Sequence, residues 1–402
     1  MIHRDNMLLL NKLAKERAKQ GYDVTNGTIG MMFLDDGTLP KNTTIRKILS
    51  THVMDDDLTY SSITGEEQYR KLLLEWFFED SFKQELLDKR AKTIATVGGT
   101  GAIAIATTVE NRINKKNTLF YPAPGWPNYL GVANAQQIER VQYQMFKDNH
   151  FDIEDLLQNV KKTLGEGKHV TLIINDPCHN PTGYNLKPNE WNDILEVVNR
   201  KEHKHQIAII LDCAYIDFAE NENRVLLVKF VKEAMKNNHV YIALSCSKTF
   251  SFYGLRVGEL VYLNEDSKET DEIQDHVVKT ARCFWSNPNH MAMNAVIDIL
   301  SNEESRKEII DEINEAKQIV NNRKEIFLKE ADEVGLKYYP YEKGFFITMP
   351  VKDAFELSDK LIAQEIYLSP MDDTSLRVAL CSIPTKKVYG LAKKIKNTME
   401  NK

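Results

Sequence analysis

The sequence lacks any apolar run near the roughly 18 residues that a membrane-spanning helix needs. Its opening stretch, "MIHRDNMLLLNKLAKERAKQGYD", turns polar after "MLLL" and spaces its apolar residues as a helix does, unlike a secretory leader. A cytoplasmic protein is expected. Paired cysteines are missing too: the five present (Cys178, Cys213, Cys246, Cys283 and Cys381) are odd in number and scattered, without the C-x-x-C spacing of a zinc or redox site. They suit a reducing compartment and suggest no metal. No long block of one sign stands among the 52 basic and 58 acidic residues, so nucleic acid and membrane surfaces are poor partners and a small molecule is the better one. Neither G-x-x-x-x-G-K-[ST] nor G-x-G-x-x-G occurs at the glycine-rich stretch, which argues against an ATPase or a nicotinamide-dependent dehydrogenase. Internal repeats and low-complexity tracts are also absent.

What is present is a regular alternation. From about residue 90 to 290, short apolar runs ("TIATV", "TLFYPA", "HVTLIIND", "IAIILDCAY", "HVYIALS", "ELVYL") are interleaved with helical patterns such as "NEWNDILEVVNRK" and "RVLLVKFVKEAMK". That order predicts an α/β domain with a largely parallel sheet, buried on both faces, with ligands beyond the strand ends. After 290 comes a long charged helix closing at Gly335, then a smaller α+β unit, which the N-terminal segment is expected to join. The expected division is a large domain at 56–300 and a small one made from 1–55 and 301–402.

Several residues stand where chemistry is expected. "VGGTGAIAIATT" sets Gly99 and Thr100 between a strand and a helix, where backbone N–H groups can hold an anion, or simply form a tight turn. Asp212 ends the apolar run "IILD", so a cation should meet it, whether a ligand or a structural partner; Tyr215 follows three residues later. "HNPTG" offers the Asn180 amide in a turn, and "APGWPNYLG" offers the indole of Trp126 for stacking or for the core. Lys248, in "SCSKTFSFYGLRVG", is either a solvated loop residue or a nucleophile. Taken together these residues converge on a planar, phosphate-bearing ligand with a ring nitrogen and an aldehyde, which is pyridoxal phosphate.

The chain resembles the fold-type-I pyridoxal-phosphate aminotransferases of the aspartate and aromatic aminotransferase family. "GGTGA", "GWPN", "HNPTG", "DCAY" and "SCSKTFSFYGLRVG" match that family in order. The resemblance implies an α/β large domain with a mostly parallel seven-stranded sheet and a smaller α+β domain. It implies that Lys248 attaches the cofactor and shuttles a proton, that Asp212 keeps the ring nitrogen protonated, and that Asn180 and Tyr215 hold the ring's phenolate oxygen. Gly99, Thr100, Ser245, Ser247 and Arg256 resemble the phosphate cup, and Trp126 the residue that stacks on the ring. Tyr60, in "LTYSSITGEE", resembles the tyrosine that reaches the phosphate from the partner subunit, which implies a homodimer. Arg377 resembles the arginine that clamps the substrate carboxylate, and Gly30 the glycine beside which the substrate passes.

Arg282 follows Lys248 by 34 residues and precedes "SNP", resembling the arginine that reads a distal carboxylate across a dimer interface. It favours aspartate and glutamate as donors, with 2-oxo acids as acceptors. Aromatic amino acids are the alternative, since Met31, Phe284 and Trp285 offer apolar contact. A β-lyase using the same lysine and aspartate is a further alternative. A cofactor-binding regulator fused to a DNA-binding domain is disfavoured, because only about 90 residues precede the first cofactor motif and they already carry Gly30 and Tyr60.

Overall fold

The computed structural model describes residues 7–40, 43–51 and 55–400; parts of the expected N-terminal segment, 1–6, 41–42 and 52–54, lie outside the described residues. Seven strands form one sheet in the order Ala91–Thr96, Gly258–Leu263, His239–Ser245, Ile207–Asp212, His169–Asn175, Asn117–Ala123, Glu139–Gln144. Only Gly258–Leu263 runs against its neighbours; every other pairing is parallel. The mostly parallel α/β sheet expected from the sequence is therefore the sheet found.

Its central strands are continuously apolar because both faces are covered. Along Ile207–Asp212, Ile209 and Leu211 enter one hydrophobic core while Ala208 and Ile210 enter another on the opposite face, so alternation puts apolar side chains in a core at every step. Edge strand Glu139–Gln144 is mostly exposed and shows no such run. This strand was not among the apolar runs that marked the sheet.

A second sheet has the order Thr25–Gly27, Ile366–Asp372, Ser375–Ala379, Phe346–Pro350. The N-terminal strand lies parallel to Ile366–Asp372, with Thr25 opposite Ile366 and Gly27 opposite Leu368. Chain ends distant in sequence thus share one sheet. Helix Glu303–Glu333 leads towards it and ends as the glycine predicts. Gly335 has φ 65°, its N–H donates to Asp332 O (3.2 Å), and the Leu336 N–H donates to Ala331 O (2.8 Å). Those two bonds satisfy carbonyls that the last turn would leave unpaired.

Parallel strands bring their C-terminal ends to one edge. Asn175 pairs in register with Asp212, and Asp212 with Ala243, two residues before Ser245. This edge carries the chemistry.

Candidate active site

Strand His239–Ser245 ends where the Ser245 hydroxyl accepts from the Ser247 N–H (3.4 Å) and caps the single helical turn Cys246–Thr249. Lys248 lies on that turn, partly buried, with Nζ 5.4 Å from the centroid of the Tyr215 ring. Burial pushes its ammonium down to about 8; Asp212 opposes that shift and the Arg256 charge assists it. A neutral amine is therefore accessible at mildly alkaline pH, as a nucleophile or proton acceptor requires. It faces a cavity of about 70 Å³ lined also by Gly99, Thr100, Trp126, Asn180, Asp212, Tyr215, Ser245, Ser247 and Arg256, with Ile103 and Ala214.

One pole of the cavity is Asp212. Its Oδ2 accepts from the buried Tyr129 hydroxyl at 2.7 Å and its Oδ1 from the Ala214 N–H at 3.2 Å. Burial raises the carboxyl's pKa, while the Tyr129 and Ala214 hydrogen bonds and the charge of Lys248 pull the other way. The Asn175 amide donates to the Asp212 carbonyl (2.8 Å) and its Oδ1 accepts from the Asn180 N–H (2.7 Å), tying the carboxylate's strand to the turn. Neither Tyr129 nor Asn175 was singled out in the sequence. Both sit inside stretches that were, "APGWPNYLG" and "HVTLIIND".

The opposite pole is cationic and lined by amides. Helix Gly98–Ile113 begins here, so its first N–H groups lack intrahelical partners. A Cβ on Gly98 would fall 2.9 Å from Arg256 Nη2, and one on Gly99 would fall 3.3 Å from Ser245 Cβ, so both glycines let the chain pass close to this pole. Arg256 adopts φ 53°, an uncommon choice for a residue with a side chain, and its Nη1 donates to Ser247 Oγ (3.1 Å) and Tyr253 O (3.3 Å). Among the described residues no carboxylate forms an ion pair with it.

Beside the cavity lies a second arginine. Arg377, on strand Ser375–Ala379, is buried, and its Nη1 donates to Asn180 Oδ1 (3.0 Å). Nη2 donates to Thr28 O (2.7 Å) and touches Met7 Sδ (2.9 Å), Nε has no partner, and Cζ lies 4.3 Å from the centroid of Phe346. Burial lowers its pKa to about 10. Gly30 packs against the same ring: a Cβ there would meet Phe346 Cζ at 2.6 Å. Arg377 and Gly30 therefore flank the cavity without lining it.

Two expected site residues lie elsewhere in this chain. Tyr60 is 90% exposed, and Arg282, near the end of helix Ser267–Phe284, is exposed and bonded to Ser286 Oγ (3.0 Å). Neither lines the cavity. Trp285 instead packs over helix Gly98–Ile113, where a Cβ on Gly101 would meet its ring at 3.2 Å.

A fitting ligand has an anion at the Arg256 pole, a basic ring nitrogen at Asp212 and a group able to react with a lysine amine. Pyridoxal phosphate has this form. Comparison with known proteins agrees. The family model "Aminotransferase class I and II" matches residues 23–395. Aspartate aminotransferase of Haemophilus influenzae is 27% identical over 305 residues, covering 75% of this chain and 72% of the relative. Aromatic-amino-acid aminotransferase of Escherichia coli is 25% identical over 352 residues, 85% of each chain. The solved structure of an aminotransferase from Anaerococcus prevotii superposes with a TM-score of 0.88 at 26% identity, covering 100% of this chain and 99% of that one. The match spans both sheets and every residue of the cavity, so this chain belongs to the class I and II aminotransferases, enzymes that depend on pyridoxal phosphate.

Proposed function

We propose that this aminotransferase moves the amino group of an L-amino acid, with aspartate and glutamate favoured, to a 2-oxo acid. The observation that carries the reading is Arg377: a buried guanidinium with an unpartnered Nε and, among the described residues, no carboxylate in an ion pair. A buried charge left that way is costly unless a ligand completes it. An α-carboxylate accepting two parallel hydrogen bonds would do so, and Asn180 stands on the same guanidinium to orient it.

Pyridoxal phosphate supplies an aldehyde for the amino group and a ring that accepts electrons released at the substrate α-carbon. The chain supplies the rest. Lys248 would hold the aldehyde, and its Nζ, whose pKa burial lowers, would be the group that takes the α-proton. Asp212 would keep the ring nitrogen protonated. Asn180 and Tyr215 would hold the ring oxygen, and Trp126 would stack on the ring. Gly99, Thr100, Ser245, Ser247 and Arg256 hold the phosphate through amides, hydroxyls and a guanidinium.

The remaining residues act between subunits of a homodimer in this reading. Tyr60 reaches the phosphate of the partner's site, and Arg282 binds the distal carboxylate of the partner's substrate. What supports this is that both are exposed and free of carboxylate partners among the described residues, although neither lines the cavity of its own chain.

Aromatic donors remain a second reading, favoured by a groove of about 650 Å³ beside Trp126 that Met7, Leu8, Leu10, Phe355 and Met371 line. The test is to mix single amino acids with the cofactor-loaded protein and follow its visible absorbance, in wild type and Arg282→Ala. Fast bleaching by aspartate and glutamate, lost in Arg282→Ala, is expected. Faster bleaching by phenylalanine or tyrosine would move the assignment to aromatic donors. Pyruvate released without an oxo-acid acceptor would indicate a β-lyase.

A further inference from the structure

We propose that Tyr129 is the positioning residue of Asp212, fixing the carboxylate so that one oxygen is kept for the cofactor's ring nitrogen; the inference rests on the role proposed above for Asp212. The geometry is specific. Tyr129 sits in the first turn of helix Asn128–Ala135, fully buried, and its hydroxyl donates 2.7 Å to Asp212 Oδ2. Its ring is packed edge-on against Trp126 (centroids 5.3 Å, 89° between planes) and lies 6.3 Å from Tyr121. The Tyr129 N–H also donates to Trp126 O (3.1 Å). One turn of chain therefore sets both the indole beside the cavity and the hydroxyl that holds the carboxylate.

With Oδ2 occupied, Oδ1 retains capacity to accept. Its own bond, from the Ala214 N–H, is the longer of the two at 3.2 Å. A carboxylate pinned through one oxygen loses the rotation it would otherwise have to give up when a cationic ring N–H arrives. The strand is pinned as well, since Asn175 holds the Asp212 carbonyl.

The donor of this anchor is also insensitive to pH. The titratable groups acting on Asp212 and Tyr129 are Lys248, Tyr143, Tyr215 and each other, with Cys213 adjacent. Burial and the carboxylate beside it hold the Tyr129 hydroxyl far above its ordinary range, and Tyr143, Tyr215 and Cys213 are likewise raised, chiefly by burial. Lys248 would be engaged by the cofactor. Among the described residues no imidazole stands among these groups, so Tyr129 offers Asp212 the same donor from acid to alkaline pH.

Three variants test this: Tyr129→Phe, Tyr129→His and Asp212→Asn. Each is titrated with pyridoxal phosphate for affinity, and its bound-cofactor spectrum is followed from about pH 5 to pH 9. Tyr129→Phe keeps the ring packing and should bind the cofactor about tenfold more weakly, the loss expected for one hydrogen bond to a charged group. Tyr129→His substitutes a group that titrates, and should add a spectral transition absent from both wild type and Tyr129→Phe. A purely structural role would move thermal stability but neither the affinity nor the pH dependence of the spectrum. If Asp212→Asn changes affinity and spectrum while both Tyr129 variants match wild type, the inference is overturned and the reading of Asp212 stands. If Asp212→Asn also matches wild type, that reading fails and takes the inference with it.

Discussion

Replacing Gly30 by alanine tests how tightly the substrate side of the site is built. The new Cβ would lie 2.6 Å from Phe346 Cζ, 3.0 Å from Cε1 and 3.6 Å from the Tyr215 hydroxyl. Ordinary contact begins near 3.4 Å, so the ring tip would have to retreat by about 0.8 Å. Phe346 has little room: it is buried on strand Phe346–Pro350, meets Tyr215 at 5.6 Å and Phe345 at 6.0 Å between centroids, and carries the Arg377 guanidinium on its face. Overpacking of this kind costs about 1–3 kcal/mol. Part should appear as lost fold stability and part as displacement of Arg377 and Tyr215. Each ~1.4 kcal/mol of that cost carried into the bound state is about a tenfold loss of affinity. The expected result for Gly30→Ala is therefore roughly 10- to 100-fold weaker binding of a non-reacting carboxylate such as succinate or 3-phenylpropanoate, measured by calorimetry on the cofactor-loaded protein. Gly165→Ala, where a Cβ meets nothing within 4 Å, is the control and should bind as wild type does. Binding within twofold of wild type by Gly30→Ala would refute the reasoning, because Phe346 would then have yielded without disturbing Arg377.

Arg377→Lys removes the planar fork that reaches both Asn180 and Thr28; KM for every amino acid and oxo acid should rise together by about 10- to 100-fold, and an unchanged KM would count against the carboxylate role. Lys248 titrates near 8 in the fold against 10.5 ordinarily, so between those values the unfolded chain binds more protons and stability rises with pH. Urea unfolding of cofactor-free protein should show Lys248→Met losing that rise. His239 behaves oppositely. Although burial opposes it, Glu110 and Glu269, each 2.8 Å away, hold its pKa up to about 10 against an ordinary 6.5. Its contribution is complete below 6.5 and disappears as pH climbs through about 10. His239→Gln should cost on the order of 3–5 kcal/mol at pH 6, where buried Glu110 loses its cation, and much less at pH 10.5. An equal cost at both pH values would show that the pair is not ionic.

The parts legible in the sequence are those whose physics is local or repeated. Central strands announce themselves because both faces are buried, and the helix ending at Gly335 because its last turn needs a left-handed residue. Cavity residues could be named because each lies in a short motif at a strand end, where parallel strands deliver side chains to one edge. Edge strand Glu139–Gln144 escaped notice because its exposed residues carry no alternation. Strand Thr25–Gly27 is only three residues long, and its pairing partner lies more than 300 residues away.

Tyr129 and Asn175 escaped for a different reason: a tyrosine at a helix start and an asparagine at a strand end are ordinary in sequence and gain meaning only from what they touch. Together they complete a chain of contacts from the Tyr129 hydroxyl to Asp212 Oδ2, from the Asp212 carbonyl to Asn175, from Asn175 to the Asn180 backbone, and from the Asn180 side chain to Arg377. It links the carboxylate expected at the cofactor ring to the guanidinium expected at the substrate. From the Asp212 carbonyl to the Asn180 side chain every group is a peptide or amide, so the spacing between the two poles is set by hydrogen bonds that do not titrate. Such a chain suits a reaction that passes twice through one site with two different substrates, because the distance from ring to carboxylate clamp must be the same for the amino acid that arrives and the oxo acid that follows. On the proposed reading, side-chain variety between the substrates is then met outside this chain of contacts, at the groove beside Trp126 or at Arg282.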